Sequence, residues 1–155
     1  MKTLSSLLEE CRTSIPEIYP WDLTKLLENN EDLIILDVRE PDEFNAMHIK
    51  GSIGIPRGIL ETAIEWNYDD TCPQLVQARD KTIIIVCRSG NRSLLAALTM
   101  QMMGYQDVKS LQTGLRGWND YEQPLLDKDG NTVDEDYADD FFQSKVSPEQ
   151  MTPKL

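Results

Sequence analysis

The sequence is poor in the residues on which much metal and nucleic-acid chemistry depends. It has one histidine, His48, in 155 residues, so a site built from several imidazoles is excluded. Its three cysteines, Cys11, Cys72 and Cys87, are odd in number and widely spaced. That pattern is neither a disulfide framework nor a paired zinc knuckle, and neither metal nor cofactor is expected. Positive charge is also in short supply: 15 Lys and Arg stand against 27 Asp and Glu, for a net charge of −12. A field of that sign repels phosphate backbones and anionic membrane surfaces, so neither nucleic acid nor membrane is an expected partner. No apolar run approaches the ~20 residues needed to span a bilayer. The opening Met-Lys-Thr-Leu-Ser-Ser-Leu-Leu-Glu-Glu is broken by serines and acids too early for a signal-peptide core, and a cytoplasmic location with reduced thiols is expected. The chain is nonetheless 40% hydrophobic, with Ile- and Leu-rich runs, enough for the core of one ordinary domain.

Periodicity divides the chain into alternating helices and strands. Leu4, Leu7, Leu8 and Cys11 form the stripe of a short amphipathic helix that Thr3 can cap and Pro16 ends, so residues 1–16 read as an N-terminal helix. A second helix starts at Pro20 and carries Leu23, Leu26 and Leu27 on one face. Leu33 to Val38 reads as an apolar run of strand length, as in a parallel sheet covered on both faces, and Lys81 to Val86 as a central buried strand. Between them lie a short helix over 41–47, an extended piece at 53–56, a helix over 57–65 and a polar loop over 67–73. Ser93 to Met103 reads as a helix with Gly104 behind it, Val108 to Leu111 as a strand, and Leu115 to Tyr121 as a further helix. This alternation predicts an α/β domain with a mostly parallel sheet. From 123 the composition turns acidic: residues 127–140 hold Asp127, Asp129, Asp134, Glu135, Asp136, Asp139 and Asp140 against Lys128. Residues 123–155 therefore read as an acidic C-terminal extension, partly ordered, with Phe141 and Phe142 docking back and 147–155 loose.

Ligands of parallel α/β sheets bind beyond the carboxyl ends of the strands, and Cys87 stands there, between the most apolar strand and a helix. The helix N-terminus offers partial positive charge and free N–H groups. The loop Arg88-Ser89-Gly90-Asn91-Arg92 can curl its amides inward, with Gly90 supplying conformational freedom, and Arg88 and Arg92 add formal charge. Each of these favours thiolate over thiol, and thiolate is the reactive form.

With these residues the chain resembles the single-domain rhodaneses over about residues 17–122. The matching elements are Leu36-Asp37-Val38-Arg39-Glu40 with Glu43-Phe44, His48-Ile49-Lys50-Gly51-Ser52, Ile55-Pro56, Ile85 to Ser93, and Gly114-Leu115-Arg116-Gly117-Trp118. The resemblance implies the rhodanese fold, a five-stranded mostly parallel sheet flanked by helices on both faces. It also implies a sulfurtransferase whose loop cysteine carries a persulfide, taking sulfur from a small sulfur-containing anion such as thiosulfate and giving it to cyanide, a thiol or a protein cysteine. A persulfide carrier or binding module handing sulfur to a partner protein is the alternative. The loop departs from the Gly-Val-Thr ending common in members specialised for thiosulfate or mercaptopyruvate, so no donor preference carries over. Met47 and Ser52 also depart from the usual Gly-His-Ile-x-Gly-Ala segment, and read as packing changes. A Cys-x5-Arg phosphatase would need arginine at position 93, which is Ser93.

Other residues have a chemical and a structural reading. Asp37, Arg57 and Trp118 are possible pocket-lining residues. Asp37 would hold the loop, Arg57 would reach an anion or solvent, and Trp118 would more simply anchor the last helix. Arg39 is expected to pair with Glu40, Asp42 or Glu43, and His48 to bond backbone. Cys72 is either a resolving thiol or incidental. Asp127-Lys128-Asp129-Gly130-Asn131 imitates a calcium loop but has Thr132 and Ala138 where Gly and Glu are needed, and reads as a turn.

Overall fold

In the computed structural model, which describes residues 1–154, Ile83, Ile84, Ile85 and Val86 are completely buried. Their strand lies at the centre of a sheet covered on both faces, which is why the run has no polar alternation. The elements in chain order are α1 (Leu4–Arg12), β1 (Glu17–Ile18), α2 (Pro20–Glu28), β2 (Leu33–Asp37), α3 (Pro41–Ala46), β3 (Ile53–Gly54), α4 (Leu60–Ala63), α5 (Pro73–Val76), β4 (Thr82–Val86), α6 (Asn91–Met102), β5 (Asp107–Leu111), α7 (Gly114–Asp120) and α8 (Glu135–Phe141). The sheet order is β1-β5-β4-β2-β3, and every pairing is parallel. All strands therefore point their carboxyl ends toward one edge, where Cys87 follows β4.

The period of two along the strands sorts side chains into two cores. Ile34, Leu36, Ile83, Ile85 and Val108 pack with α1, α4, α5 and α6, through Leu8, Leu60, Leu75 and Leu94 among others. Ile35, Ile84, Val86 and Leu111 pack on the other face with Leu23 of α2, Leu115 and Trp118 of α7, and Ala138 of α8. Each such fully buried Ile or Leu contributes roughly 1.5–3 kcal/mol of transfer free energy. The caps behave as expected: Thr3 accepts from the Ser6 amide, and Pro20 opens α2.

The departures from expectation are local. β1 was not foreseen, because two residues carry no periodicity; it is defined only by pairing Glu17 with Ser110 and Ile18 with Leu111. The helix expected over 57–65 is a 3-10 turn, Arg57–Ile59, followed by the single turn of α4. Pro73, where a loop was expected to end, starts α5. α6 begins at Asn91 and not Ser93, because Gly90 at φ +103° delivers the chain directly into the helix. Asn91 and Arg92 thus form a first helical turn, and only Arg88, Ser89 and Gly90 separate Cys87 from α6.

Several residues C-terminal to 123 pack against the rest of the chain. Leu126 bridges His48 in both directions (2.9 and 2.8 Å) and Val133 N–H donates to Leu125 C=O. The Asp134 side chain caps α8 by accepting from Tyr137 N–H, and Phe142 is 1% exposed in the second core. Asp127 Oδ1 accepts the amides of Asp129 and Asn131, which makes the expected turn. Within the stretch expected to be loose, Pro148–Gln150 form a 3-10 turn, and Leu155 lies outside the described residues. Among the described residues no helix is long and apolar enough to cross a membrane.

Candidate active site

β4 ends at Val86, and the next residue, Cys87, is 1% exposed. Its Sγ accepts hydrogen bonds from the Gly90 amide at 3.1 Å and the Ser93 amide at 3.4 Å. The Ser93 hydroxyl lies 3.4 Å from Sγ and 2.7 Å from the Ser110 hydroxyl. Toward a thiol the Ser93 oxygen accepts; toward a thiolate the same hydroxyl donates. Ser93 and Ser110 are both fully buried, so the sulfur faces fixed dipoles and not mobile water.

The amides point inward because the carbonyls are taken elsewhere. Leu115 N–H donates to Cys87 C=O at 2.8 Å, and Arg116 N–H donates to Arg88 C=O at 3.0 Å. The start of α7 therefore grips the outer side of the loop. Gly114 permits this approach: at φ +60°, a Cβ there would lie 2.5 Å from Arg88 C, Arg88 O and Cys87 O. The Gly-Leu-Arg-Gly-Trp segment, noted in the sequence for its resemblance alone, is thus the clamp of the cysteine loop.

Of the two loop arginines, Arg92 is not free. Its Nη1 and Nη2 donate to both carboxylate oxygens of Glu43 on α3, at 2.8 and 3.0 Å. Burial pushes the Glu43 carboxyl up, but the Arg92 hydrogen bonds, the Glu40 amide and the charges of Arg92 and Arg39 together hold it below the usual carboxylate range. The Glu43 hydrogen bonds raise Arg92 in turn, against burial. Arg88, Ser89 and Asn91 are exposed and Arg57 is half-buried. Among the described residues neither Arg88 nor Arg57 has a side-chain ion pair.

Several expected roles are corrected. Arg39 pairs with Asp37, not with Glu40, Asp42 or Glu43: Nε–Oδ1 is 2.9 Å, Nη2–Oδ2 is 2.8 Å, and both side chains are fully buried. Residues i and i+2 of an extended chain share a face, which brings these two groups together in a low-dielectric interior. Asp37 therefore does not line the mouth. Arg39 Nη2 also donates to Met47 C=O at 2.6 Å, so the pair pins the far end of α3 and with it Glu43. Trp118 packs in the core opposite the one holding Cys87, its Nε1 donating to Pro124 C=O; it anchors the helix and lines a cavity with Ile49 and Pro124 that includes no residue of the cysteine loop. Arg57 is held by its amide to Val38 C=O, at the end of the neighbouring strand. His48 Nδ1 bonds Phe44 C=O at 2.9 Å, the backbone role expected of it. Cys72 is half-buried ahead of α5 against the Cys87 core. Ser93, Ser110 and Glu43 are the site neighbours whose part sequence reasoning missed. Ser93 directly follows the loop motif, but Ser110 is joined to it only by the β4–β5 pairing.

A family description, rhodanese-like domain, matches residues 20–121. The chain is 38% identical over 110 residues to YrkF of Bacillus subtilis, named as a proposed sulfur carrier protein, covering 70% of this chain and 54% of that protein. It is 31% identical over 107 residues to MoeZ of Mycobacterium tuberculosis, named as a probable adenylyltransferase/sulfurtransferase, covering 69% of this chain and 25% of the relative. It thus spans about half the length of one curated relative and a quarter of the other. Among solved structures, a Rhodopseudomonas palustris protein of unknown function, described as a possible tyrosine phosphatase, superposes with a TM-score of 0.72 at 30% identity, covering 81% of this chain and 95% of that one. With the parallel five-stranded sheet and the cysteine loop at its carboxyl edge, these matches place the chain in the rhodanese-like family.

Proposed function

We propose that this chain is a sulfurtransferase that carries sulfane sulfur as a persulfide on Cys87. The carrying observation is the cradle of the Gly90 and Ser93 amides, 3.1 and 3.4 Å from Sγ, which suits a sulfur anion. With thiosulfate, the Cys87 thiolate attacks the outer sulfur, the S–S bond of the donor breaks, and sulfite leaves with the bonding pair. Cys87–S–S⁻ remains, and charge is conserved. Cyanide, a thiol or a protein cysteine then takes the terminal sulfur and regenerates the thiolate. Two half-reactions through a covalent enzyme give ping-pong kinetics. Arg88, Ser89 and Gly90 in the loop, with Asn91 and Arg92 in the first turn of α6, surround the reacting sulfur, in a unit of residues 17–122 buttressed by the C-terminal extension and working in the cytoplasm.

A persulfide carrier delivering to a protein partner is the close variant. The near-complete burial of Cys87 favours it, since only a slender group presented end-on reaches the sulfur. Phosphatase chemistry fits poorly. Arg92 faces Glu43, and position 93, where that chemistry needs an arginine, is a serine against Sγ.

The test is mass spectrometry of the Cys87 peptide after incubation with excess thiosulfate or a hydropersulfide. One added sulfur is expected, and none in Cys87→Ser, which should remain folded. Absence of added sulfur with both donors, or thiocyanate production surviving Cys87→Ser, overturns the reading.

A further inference from the structure

From the charges around Cys87 we infer that the preferred donor is an organic persulfide rather than a sulfonate-bearing dianion such as thiosulfate, and that Glu43 sets this preference by occupying Arg92. The inference rests on the persulfide role of Cys87 proposed above. A sulfonate, like a carboxylate, is best received by the two-pronged edge of a guanidinium. The edge Arg92 presents is filled: Nη1 and Nη2 each hold one oxygen of Glu43, at 2.8 and 3.0 Å. A carboxylate of the chain itself thus stands where a donor anion would bind.

Glu43 is not free to swing aside. Its Oε2 also accepts the Glu40 amide at 2.9 Å. α3 is fixed at its far end by the buried Asp37–Arg39 pair through Met47 C=O. The Arg92–Glu43 pair is itself only 35% and 26% exposed, so water and salt screen it less than a surface pair. Arg92, the arginine whose charge is coupled to Cys87, is therefore neutralised by Glu43, as the buried Arg39 is by Asp37. A Cys87 thiolate thus sits in a protein of net charge −12 without the free guanidinium of Arg92. Bringing in a dianion against that balance is costly, while the persulfide of an otherwise uncharged thiol brings at most one charge and needs no guanidinium.

The step with a persulfide balances without any external oxidant. The Cys87 thiolate attacks the outer sulfur of R–S–SH, a new S–S bond forms at Sγ, and the S–S bond of the donor breaks. R–S⁻ leaves with the electron pair, and the proton stays on the transferred sulfur as Cys87–S–SH. Sulfite is never produced, so no leaving dianion has to be stabilised.

The experiment compares kcat/KM for thiosulfate and for the persulfide of an uncharged thiol, N-acetylcysteamine, with cyanide as acceptor, in the wild type, Glu43→Gln and Glu43→Ala. The wild type should favour the persulfide. Glu43→Gln, which keeps the shape but removes the charge, should raise the ratio of thiosulfate to persulfide kcat/KM about tenfold or more, from the worth of one charge-assisted contact. Glu43→Ala should move the ratio the same way. A wild type that uses thiosulfate as well as the persulfide overturns the inference, and needs no variant to do so. So does a Glu43→Gln protein in which the ratio falls or both donors change equally. Failure of both donors to load Cys87 in the wild type defeats the sulfurtransferase reading instead, so the two failures are distinguishable.

Discussion

Gly114→Ala tests whether the clamp from α7 sets the geometry of the cysteine loop. A Cβ at position 114 would stand 2.5 Å from Arg88 C, Arg88 O and Cys87 O. All three are backbone atoms, so no rotamer change relieves the overlap. Ordinary contact begins near 3.4 Å, and the loop and α7 must separate by about 0.5–0.9 Å. The Leu115–Cys87 and Arg116–Arg88 hydrogen bonds, at 2.8 and 3.0 Å, lie across that gap and would stretch toward breaking. Weakening two such bonds costs about 1–3 kcal/mol, and an alanine at φ +60° adds about 1 kcal/mol. The expected loss is about 2–4 kcal/mol, read as a fall in Tm of roughly 5–15 °C. Freed carbonyls also let the loop amides turn from Sγ, and a displacement approaching 1 Å is worth about a hundredfold in the rate of sulfur loading. Gly58→Ala is the control: nothing lies within 4 Å of its Cβ position and its φ is not positive, so both readouts should stay near wild type. Gly114→Ala with wild-type Tm and a loading rate within about threefold would refute the argument that α7 holds the loop in register.

Three further substitutions probe the other supports. Ser110→Ala removes the partner of the Ser93 hydroxyl and should slow alkylation of Cys87 by iodoacetamide at neutral pH about two- to tenfold, with Cys11 and Cys72 replaced to remove background; an unchanged rate would make Ser110 a packing residue only. The Glu43–Arg92 pair should carry a pH signature: the folded-state carboxyl is held low, so its stabilisation is complete above the ordinary value of 4.5 and is lost as pH falls through the folded value. The Tm difference between wild type and Glu43→Gln should therefore be constant near neutrality and vanish in acid, and a difference that grows on acidification would contradict the sign. Phe142→Ala should cost about 3–5 kcal/mol in urea unfolding, because Phe142 is buried in the second core; a loss under about 1 kcal/mol would show that α8 adds little to the domain.

Much of the fold was legible because its central elements announce themselves locally. Runs such as Leu33 to Val38 and Lys81 to Val86 cannot be solvated on either face, so a covered parallel sheet follows from composition and length. Pro20, Thr3 and Gly104 mark helix ends by mechanisms that need no tertiary partner. What escaped has no local signal. β1 exists only because β5 lies beside it, with Gln112 N–H donating to Ile18 C=O at 2.7 Å. The helix over 57–65 failed because the chain there follows its neighbours: Arg57 N–H is drawn to Val38 C=O and Ile55 N–H to Asp37 C=O, both at the end of β2.

The site divides along the same line. Cys87, its loop and the following helix are contiguous, and their chemistry could be anticipated. The partners that decide the loop's behaviour come from three other places in the chain: Glu43 on α3, Ser110 on β5 and Gly114 at the start of α7. Each was visible as a residue, but none could be given its role. The arginines show why. Glu40, Asp42 and Glu43 all follow Arg39 closely in the chain, and local proximity favours one of these three for it. Burial reverses that choice. Asp37 and Arg39 are completely removed from water, and a buried charge left unpaired would cost several kcal/mol, so those two must satisfy each other first. Glu43 and Arg92, which keep some exposure, are then left to meet across α3 and α6. The donor preference inferred for the site thus originates in a desolvation constraint on a pair that touches neither donor nor sulfur.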